Sequence, residues 1–319
     1  MLRNFGKLGA RVSEVGLGTA QLANTDGSVP GIKHVPPERA REILRVAIAE
    51  GVRFFDTGDQ YGNAESLLGE LSPEEKSGVL IATKAGLRPD GIRDFSPAYL
   101  EGQLVRSLRR LAVDRLDVFQ LNKPSTKDLE DGKLFDFLEG QKRAGRIRFS
   151  GIVVGDVAAG ELCLRSGRVD CLQVLYNLLY QEPAELIRAA GRRGVGVIVR
   201  SPLNSGLLSG AYTPETVVPS ADERSRYFSG KSFQDRVAAL KKIQADLNVG
   251  DDRLLEFALR FILSHPEVST VIPGASTLEQ ARRYLACADQ DPLSAQELAA
   301  IRQVVSRRMK DVSGAFQLR

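Results

Sequence analysis

The chain has no tryptophan, and only two methionines, two histidines and three cysteines among its 319 residues. Cys163, Cys171 and Cys287 lie far apart and form no C-x-x-C pair. That argues against a disulfide framework and for free thiols, buried as small apolar residues in a reducing compartment. The isolated histidines, His34 and His265, and the scattered cysteines make no metal-ligand cluster. No G-x-S-x-G occurs, so a hydrolase nucleophile elbow has no support. No apolar run approaches a membrane span, and Arg3, Lys7, Arg11 and Glu14 break any leader-like stretch. A cytoplasmic protein without membrane partners is expected. The net charge of +4 is mild, and its basic residues are scattered, as at Arg192-Arg193, Lys241-Lys242 and Arg307-Arg308. These read as solvated helix faces; a nucleic-acid footprint would gather them on one surface.

What is present is ordinary for a globular protein: 43% hydrophobic and 26% charged residues. The length suits two domains or one (β/α)8 barrel, which takes about 250 residues plus insertions. The pattern decides between them. A hairpin-like stretch over residues 2–14 precedes a buried run at Val15–Thr19. Further apolar runs follow at Arg53–Asp56, Val79–Thr83, Leu116–Leu121, Arg148–Val154, Cys171–Leu175, Val195–Val199 and Val268–Ile272. Amphipathic helical patterns alternate with them, the first opening at Pro37-Glu38. Buried runs alternating with helices imply a parallel sheet, and eight of them imply closure. No G-x-G-x-x-G follows the first run, which disfavours an open doubly wound sheet. The spacing predicts a single TIM-barrel domain over 1–319, with an N-terminal hairpin and an extra C-terminal helix near 294–308. One connection is long: Pro202 to Gln234, rich in Gly, Ser and Pro, which reads as a functional loop.

In such a barrel the chemistry sits on the loops after the strands. Phe54-Phe55-Asp56-Thr57-Gly58-Asp59-Gln60-Tyr61-Gly62 runs from an apolar strand into a polar loop. Ile81-Ala82-Thr83-Lys84 ends the next strand, and Phe119-Gln120-Leu121-Asn122-Lys123-Pro124 ends the one after. F-D-T-x-x-x-Y-G resembles the signature of the aldo-keto reductases, nicotinamide-dependent barrel enzymes. That resemblance implies a tetrad of Asp, Tyr, Lys and His, onto which Asp56, Tyr61 and Lys84 map. The fourth position departs, with Asn122 where the family usually has histidine. A lysine ammonium beside a phenol favours the phenolate and makes the tyrosine a better proton donor. Asparagine keeps a donor NH2 but cannot titrate near neutrality. The resemblance offers a precedent for Asn in that slot among potassium-channel β-subunits, slow relatives that bind the cofactor.

The same resemblance implies the cofactor side. Gly18, Thr19 and Asp56 line the first strand ends, and Gln173, followed by Asn177, looks like the strand that holds the nicotinamide carboxamide. Arg200, Ser201, Leu203 and Ser205 match the segment that cradles the pyrophosphate. Gly274, Ser276 and Gln280 match the strand end and helix start that receive the adenosine phosphate. Arg200 stands where an aromatic residue often stacks on nicotinamide, and Val153-Val154 replace a polar pair. Thr277 stands where a basic residue is common, with Arg282 or Arg283 to compensate. NADPH is expected, with NADH as the alternative, and no metal. A small carbonyl substrate and a monomer are the family expectation. The missing tryptophan disfavours steroids and aromatic aldehydes. The polar first loop (Gln21, Asn24, Thr25, Asp26) with Arg88, Lys123 and Arg200 suits a sugar-like or anionic carbonyl. A competing expectation is a nicotinamide-binding regulator with low turnover. His34, in the loop after the first strand, reads as a solvated residue or a substrate donor; His265, at a helix end before Pro266, reads as structural.

Overall fold

A computed structural model describes residues 1–7, 9–23, 35–213, 215–217 and 230–310. Strands β1 (Leu2–Asn4) and β2 (Arg11–Ser13) form an antiparallel hairpin, with Leu2 opposite Ser13. The barrel then runs β3 (Leu17–Gly18), α1 (Pro37–Ala49), β4 (Phe54–Asp56), α2 (Ala64–Gly69), α3 (Pro73–Lys76), β5 (Leu80–Ala85), α4 (Pro97–Leu111) and β6 (Leu116–Asn122). It continues with α5 (Thr126–Glu130), α6 (Lys133–Arg143), β7 (Ile147–Val153), α7 (Val157–Ser166), β8 (Cys171–Leu175), α8 (Ala184–Arg193) and β9 (Gly196–Arg200). After the long loop come α9 (Gly230–Leu247), α10 (Asp251–Leu263), β10 (Thr270–Val271), α11 (Leu278–Ala286) and α12 (Ala295–Lys310).

The eight strands β3 to β10 lie parallel in sequence order. Parallel bridges Val15–Val271 and Gly18–Gly274 join the last strand to the first. Gly16 N donates to Val271 O at 2.9 Å and Gly18 N to Pro273 O at 2.9 Å, which closes the barrel. Two apolar cores result. The larger lies between strands and helices, where Leu44, Phe55, Leu104, Phe119, Leu138 and Val199 are buried. The smaller fills the barrel itself with Phe54, Leu80, Ala82, Val118, Phe149 and Ile198, plugged from below by Phe5 and Val12 of the hairpin. Phe5 packs its ring 5.7 Å from Phe54 and 6.0 Å from Phe149. Burying such a side chain is worth about 2–3 kcal/mol, so the hairpin is part of the core.

The hairpin and α12 are held by charge. Arg3 donates to Leu263 O, His265 O and Val268 O and pairs with Glu14 at 2.8 Å, tying the hairpin to the end of α10. Arg307 and Arg308 on α12 both reach Asp246 on α9 at 2.8 Å. The short helices α3 and α5, which periodicity alone does not reveal, each begin at a capping box, Ser72 with Glu75 and Ser125 with Asp128. The three cysteines are free and buried. Among the described residues no helix is long and apolar enough to cross a membrane.

Candidate active site

Alternate residues of a strand share a face, and here the inward face changes character toward the strands' carboxyl ends. On β4 Phe54 is followed by Asp56; on β5 Leu80 and Ala82 by Lys84; on β6 Val118 by Gln120 and Asn122. The apolar plug therefore gives way to a polar layer at the barrel mouth. Lys84 Nζ lies 2.6 Å from Asp56 Oδ2 and donates to Thr57 O at 2.6 Å. Both side chains are nearly inaccessible, at 4% and 3% exposure, and a buried charge is tolerated only when paired and hydrogen-bonded. Asp56 is further held by Gln173 Nε2 at 2.7 Å and Gln120 Nε2 at 3.2 Å. Burial works against the Lys84 charge, but Asp56 first and Tyr61 second more than offset it, holding its pKa above the ordinary lysine value.

Tyr61 comes to this pair through a tight turn: its N–H donates to Gly58 O at 3.0 Å and its own carbonyl accepts from Ala64 N at 2.9 Å. The Lys84 ammonium lies 4.7 Å from the centre of the Tyr61 ring. Gly58 makes room for this, since a Cβ there would sit 3.0 Å from Lys84 Cγ. Asn122 occupies the inward face of β6 one step closer to the mouth than Gln120, in register with Val153. Its side chain has no hydrogen-bond partner among the described residues, so its NH2 is available to a ligand. Beneath the turn, Glu65 of α2 accepts from Thr83 Oγ1 and from Arg110 Nε at 2.6 Å. Asp59 lies beside it, with a buried Oδ2 that no described residue satisfies. Burial first, and the Glu65 charge second, push the Asp59 carboxyl up to about 6.

The expected cofactor residues lie along one arc of the mouth. The loop after β9 passes through Ser201, Asn204, Ser205 and Gly206 at positive φ (52°, 48°, 56° and 92°). The Asn204 and Gly206 N–H groups donate within the loop, to Ser201 O at 3.1 Å and Leu203 O at 2.9 Å, and hold this turn together. Asn204 Oδ1 is buried there without a partner among the described residues. Asn177 braces this loop from β8's end, donating to Ser201 O at 3.1 Å. Leu203 packs its side chain in the core, so only its backbone faces outward chemistry. Gly274 permits a close approach: a Cβ there would fall 1.7 Å from the Gln21 amide, the far end of an exposed side chain. Ser276 and Gln280 bond to each other at 2.8 Å across the start of α11, which Thr277 caps at 3.1 Å. The arc brings a serine-bearing turn, a glycine approach and the start of α11 into sequence, features that would hold a phosphate-bearing dinucleotide.

Some expected residues are engaged differently. Gln173 donates its amide nitrogen to Asp56 and, at 3.2 Å, to Gln120 Oε1, leaving its own oxygen as the atom able to meet a ligand. Thr19 is buried, with its hydroxyl on Asp56 O at 3.1 Å, so it fixes the strand end. Arg282 pairs with Glu50 at 2.7 Å and Arg283 donates to Asp252 O at 2.8 Å. His265 is buried with Nε2 2.9 Å from Tyr176 Oη, on the helix side of the sheet. His34, Asn24, Thr25 and Asp26 lie outside the described residues. Sequence reasoning missed Gln120, although its alternation with Asn122 on β6 gives it away, and it missed the Glu65–Arg110 and Asp59 groups.

Comparison with known proteins agrees with the barrel fold. The profile of the Aldo/keto reductase family matches residues 14–306. The uncharacterized oxidoreductase YqkF of Bacillus subtilis is 27% identical over 311 residues, covering 94% of each chain. A probable voltage-gated potassium channel subunit beta of Arabidopsis thaliana is 28% identical over 333 residues, covering 97% of each. The holo form of the aldo-keto reductase AKR11C1 of Bacillus halodurans superposes with a TM-score of 0.78, at 27% identity over 95% of both chains. A profile match over residues 14–306 makes this chain a member of the aldo/keto reductase family and an NAD(P)H-dependent oxidoreductase.

Proposed function

We propose that the protein reduces a small, polar aldehyde or ketone to the alcohol, with NADPH as cofactor and Tyr61 as general acid. The observation that carries this is the buried Lys84–Asp56 pair, 2.6 Å apart, with the Tyr61 ring over the ammonium at the barrel mouth. The residues of the Ser201–Gln280 arc would hold a reduced nicotinamide dinucleotide, which when bound would supply the hydride for the carbonyl carbon. Tyr61 gives its phenolic proton to the carbonyl oxygen as the C=O π bond opens. Lys84, held charged by Asp56, stabilises the phenolate left behind. Gln120 and Gln173 fix the carboxylate so that the ammonium cannot swing away from the ring. Asn122 offers an NH2 to the same carbonyl oxygen, polarising it without exchanging a proton.

Preference for NADPH rests on Arg282 and Arg283, in the second half of α11. The Arg282–Glu50 pair is exposed, and such pairs are worth about 0–1 kcal/mol, so a 2′-phosphate can compete for the guanidinium. The second reading, a low-turnover nicotinamide-binding regulator, rests on Asn122 together with the similarity to the channel subunit. The test is carbonyl-dependent oxidation of NADPH, and of NADH, across sugar, carboxylate-bearing and simple aldehydes and ketones. Steady turnover with a kcat/KM favouring NADPH supports the reductase. Tight cofactor binding with no oxidation by any member supports the regulator.

A further inference from the structure

The cations around the mouth are not equivalent. Arg88 is neutralised by Asp90 at 3.3 Å and Asp94 at 3.8 Å. Lys123 is not: it is half-buried and pairs with no carboxylate among the described residues. Arg93, in the loop after β5 and bridged to Leu87, likewise has no acidic partner among them. Lys123 directly follows Asn122, where β6 leaves the barrel. Its backbone takes φ 58°, a conformation few long side chains adopt, and is pinned there by bonds from its N–H to Val153 O at 3.0 Å and Leu121 O at 3.2 Å. Gly155 is the small residue alongside, where a Cβ would sit 3.8 Å from Lys123 Cβ. Burial first, then the charges of Arg200 and Arg93, bring the Lys123 ammonium down to about 8. A half-buried lysine that feels two guanidiniums and has no carboxylate partner among the described residues is costly in the free protein. Its natural complement is an anion.

We propose that Lys123, flanked by Arg93 and Arg200, receives an anionic group of the carbonyl substrate, a carboxylate or a phosphate, beside Asn122. This rests on the reductase reading and sharpens it from a polar carbonyl to an acidic one. The anion restores a counter-charge to Lys123, while the carbonyl end of the molecule meets Asn122 and Tyr61. A neutral substrate forgoes that contact. A charge-assisted contact of this kind is worth about 10–100-fold in kcat/KM.

The test uses matched pairs with NADPH on the full chain: succinic semialdehyde against its primary amide, and glyceraldehyde phosphate against glyceraldehyde. Each is measured for wild type, Lys123→Met, Lys123→Arg and Arg93→Gln. The expected result is a preference for one charged member of about 10–100-fold in wild type, kept by Lys123→Arg, reduced by Arg93→Gln and lost by Lys123→Met. Which pair shows the preference tells a carboxylate from a phosphate. Circular dichroism and a thermal unfolding transition matching wild type show that Lys123→Met is folded. Equal kcat/KM for charged and neutral members in wild type, or a preference that persists in Lys123→Met, overturns the proposal. So does a loss of NADPH affinity in Lys123→Met with the preference intact, which would assign the cations to the cofactor. Quenching of bound-NADPH fluorescence by succinate or inorganic phosphate reads the same site without turnover. Saturable quenching lost in Lys123→Met, from a protein that reduces none of the aldehydes, would sustain the anion site and sink the reductase. Reduction of the neutral aldehydes with no Lys123-dependent effect of charge would do the reverse.

Discussion

At the scale of single residues, the site is defined by which groups can change charge and which cannot. Asn122 cannot, so under the proposed mechanism its contribution to turnover is a fixed hydrogen bond. Asn122→Ala should lower kcat by roughly 10-fold while leaving the shape of the kcat–pH profile unaltered. A step near pKa ~6.5 that disappears in Asn122→Ala would contradict this. Asp59 can change charge, and its carboxyl is raised from 3.8 to about 6 in the fold. A raised carboxyl holds its proton more tightly when folded, so its contribution to stability is present below 3.8 and lost as pH rises through about 6. Asp59→Asn removes that loss. The variant should gain on the order of 1–2 kcal/mol relative to wild type at about pH 7.5 compared with about pH 4, allowing for partial solvent screening. Urea unfolding of both proteins at the two pH values checks it; a difference independent of pH would rule out the buried-carboxylate account. Asp56, Tyr61 and Lys84 were legible in the sequence because each ends a strand or opens the loop just after one. Glu65 and Arg110 were not, since their contact joins α2 to α4 across 45 residues and no local pattern reports it. Nor does any local signal put a lysine at φ 58°, as Lys123 is.

At the scale of elements, the hairpin does more than precede the barrel. Gly6 turns at φ 58°, and its Lys7 neighbour donates to Gly194 O at 2.8 Å, just before β9. A Cβ on Gly6 would meet Gly194 O at 2.5 Å and Gly196 N at 2.7 Å, backbone atoms that cannot step aside. Gly6→Ala should therefore lift Phe5 out of the barrel floor and cost about 2–4 kcal/mol, combining strain at positive φ with overpacking. The same denaturant titration measures it, and a cost below ~0.5 kcal/mol would mean the hairpin is not a structural plug. The strands and long helices were readable from periodicity, because buried parallel strands are continuously apolar while the helices alternate. The two short helices were readable only from their capping boxes. The loop after β9 was readable as unusual but not as a run of left-handed residues, because Ser201, Asn204 and Ser205 are not glycine.

At the scale of the whole molecule, the barrel divides its labour along its axis. An apolar floor of Phe5, Phe54, Val118 and Phe149 supplies packing, and the polar layer above it carries a buried ion pair that packing alone would disfavour. That division was implicit in the alternation of apolar and polar residues toward each strand's end, and the eightfold repeat made the closure predictable. What the chain's pattern did not contain was the cross-strand wiring of Gln120 and Gln173 to Asp56, which depends on register. The central claim is that this wiring serves a proton transfer from Tyr61. The most direct measurement is single-turnover oxidation of bound NADPH by an accepted aldehyde, wild type beside Tyr61→Phe, with NADPH affinity measured for both. Tyr61→Phe should bind NADPH as wild type does and oxidise it about 10²–10⁴-fold more slowly. Oxidation at the wild-type rate in Tyr61→Phe would contradict that claim.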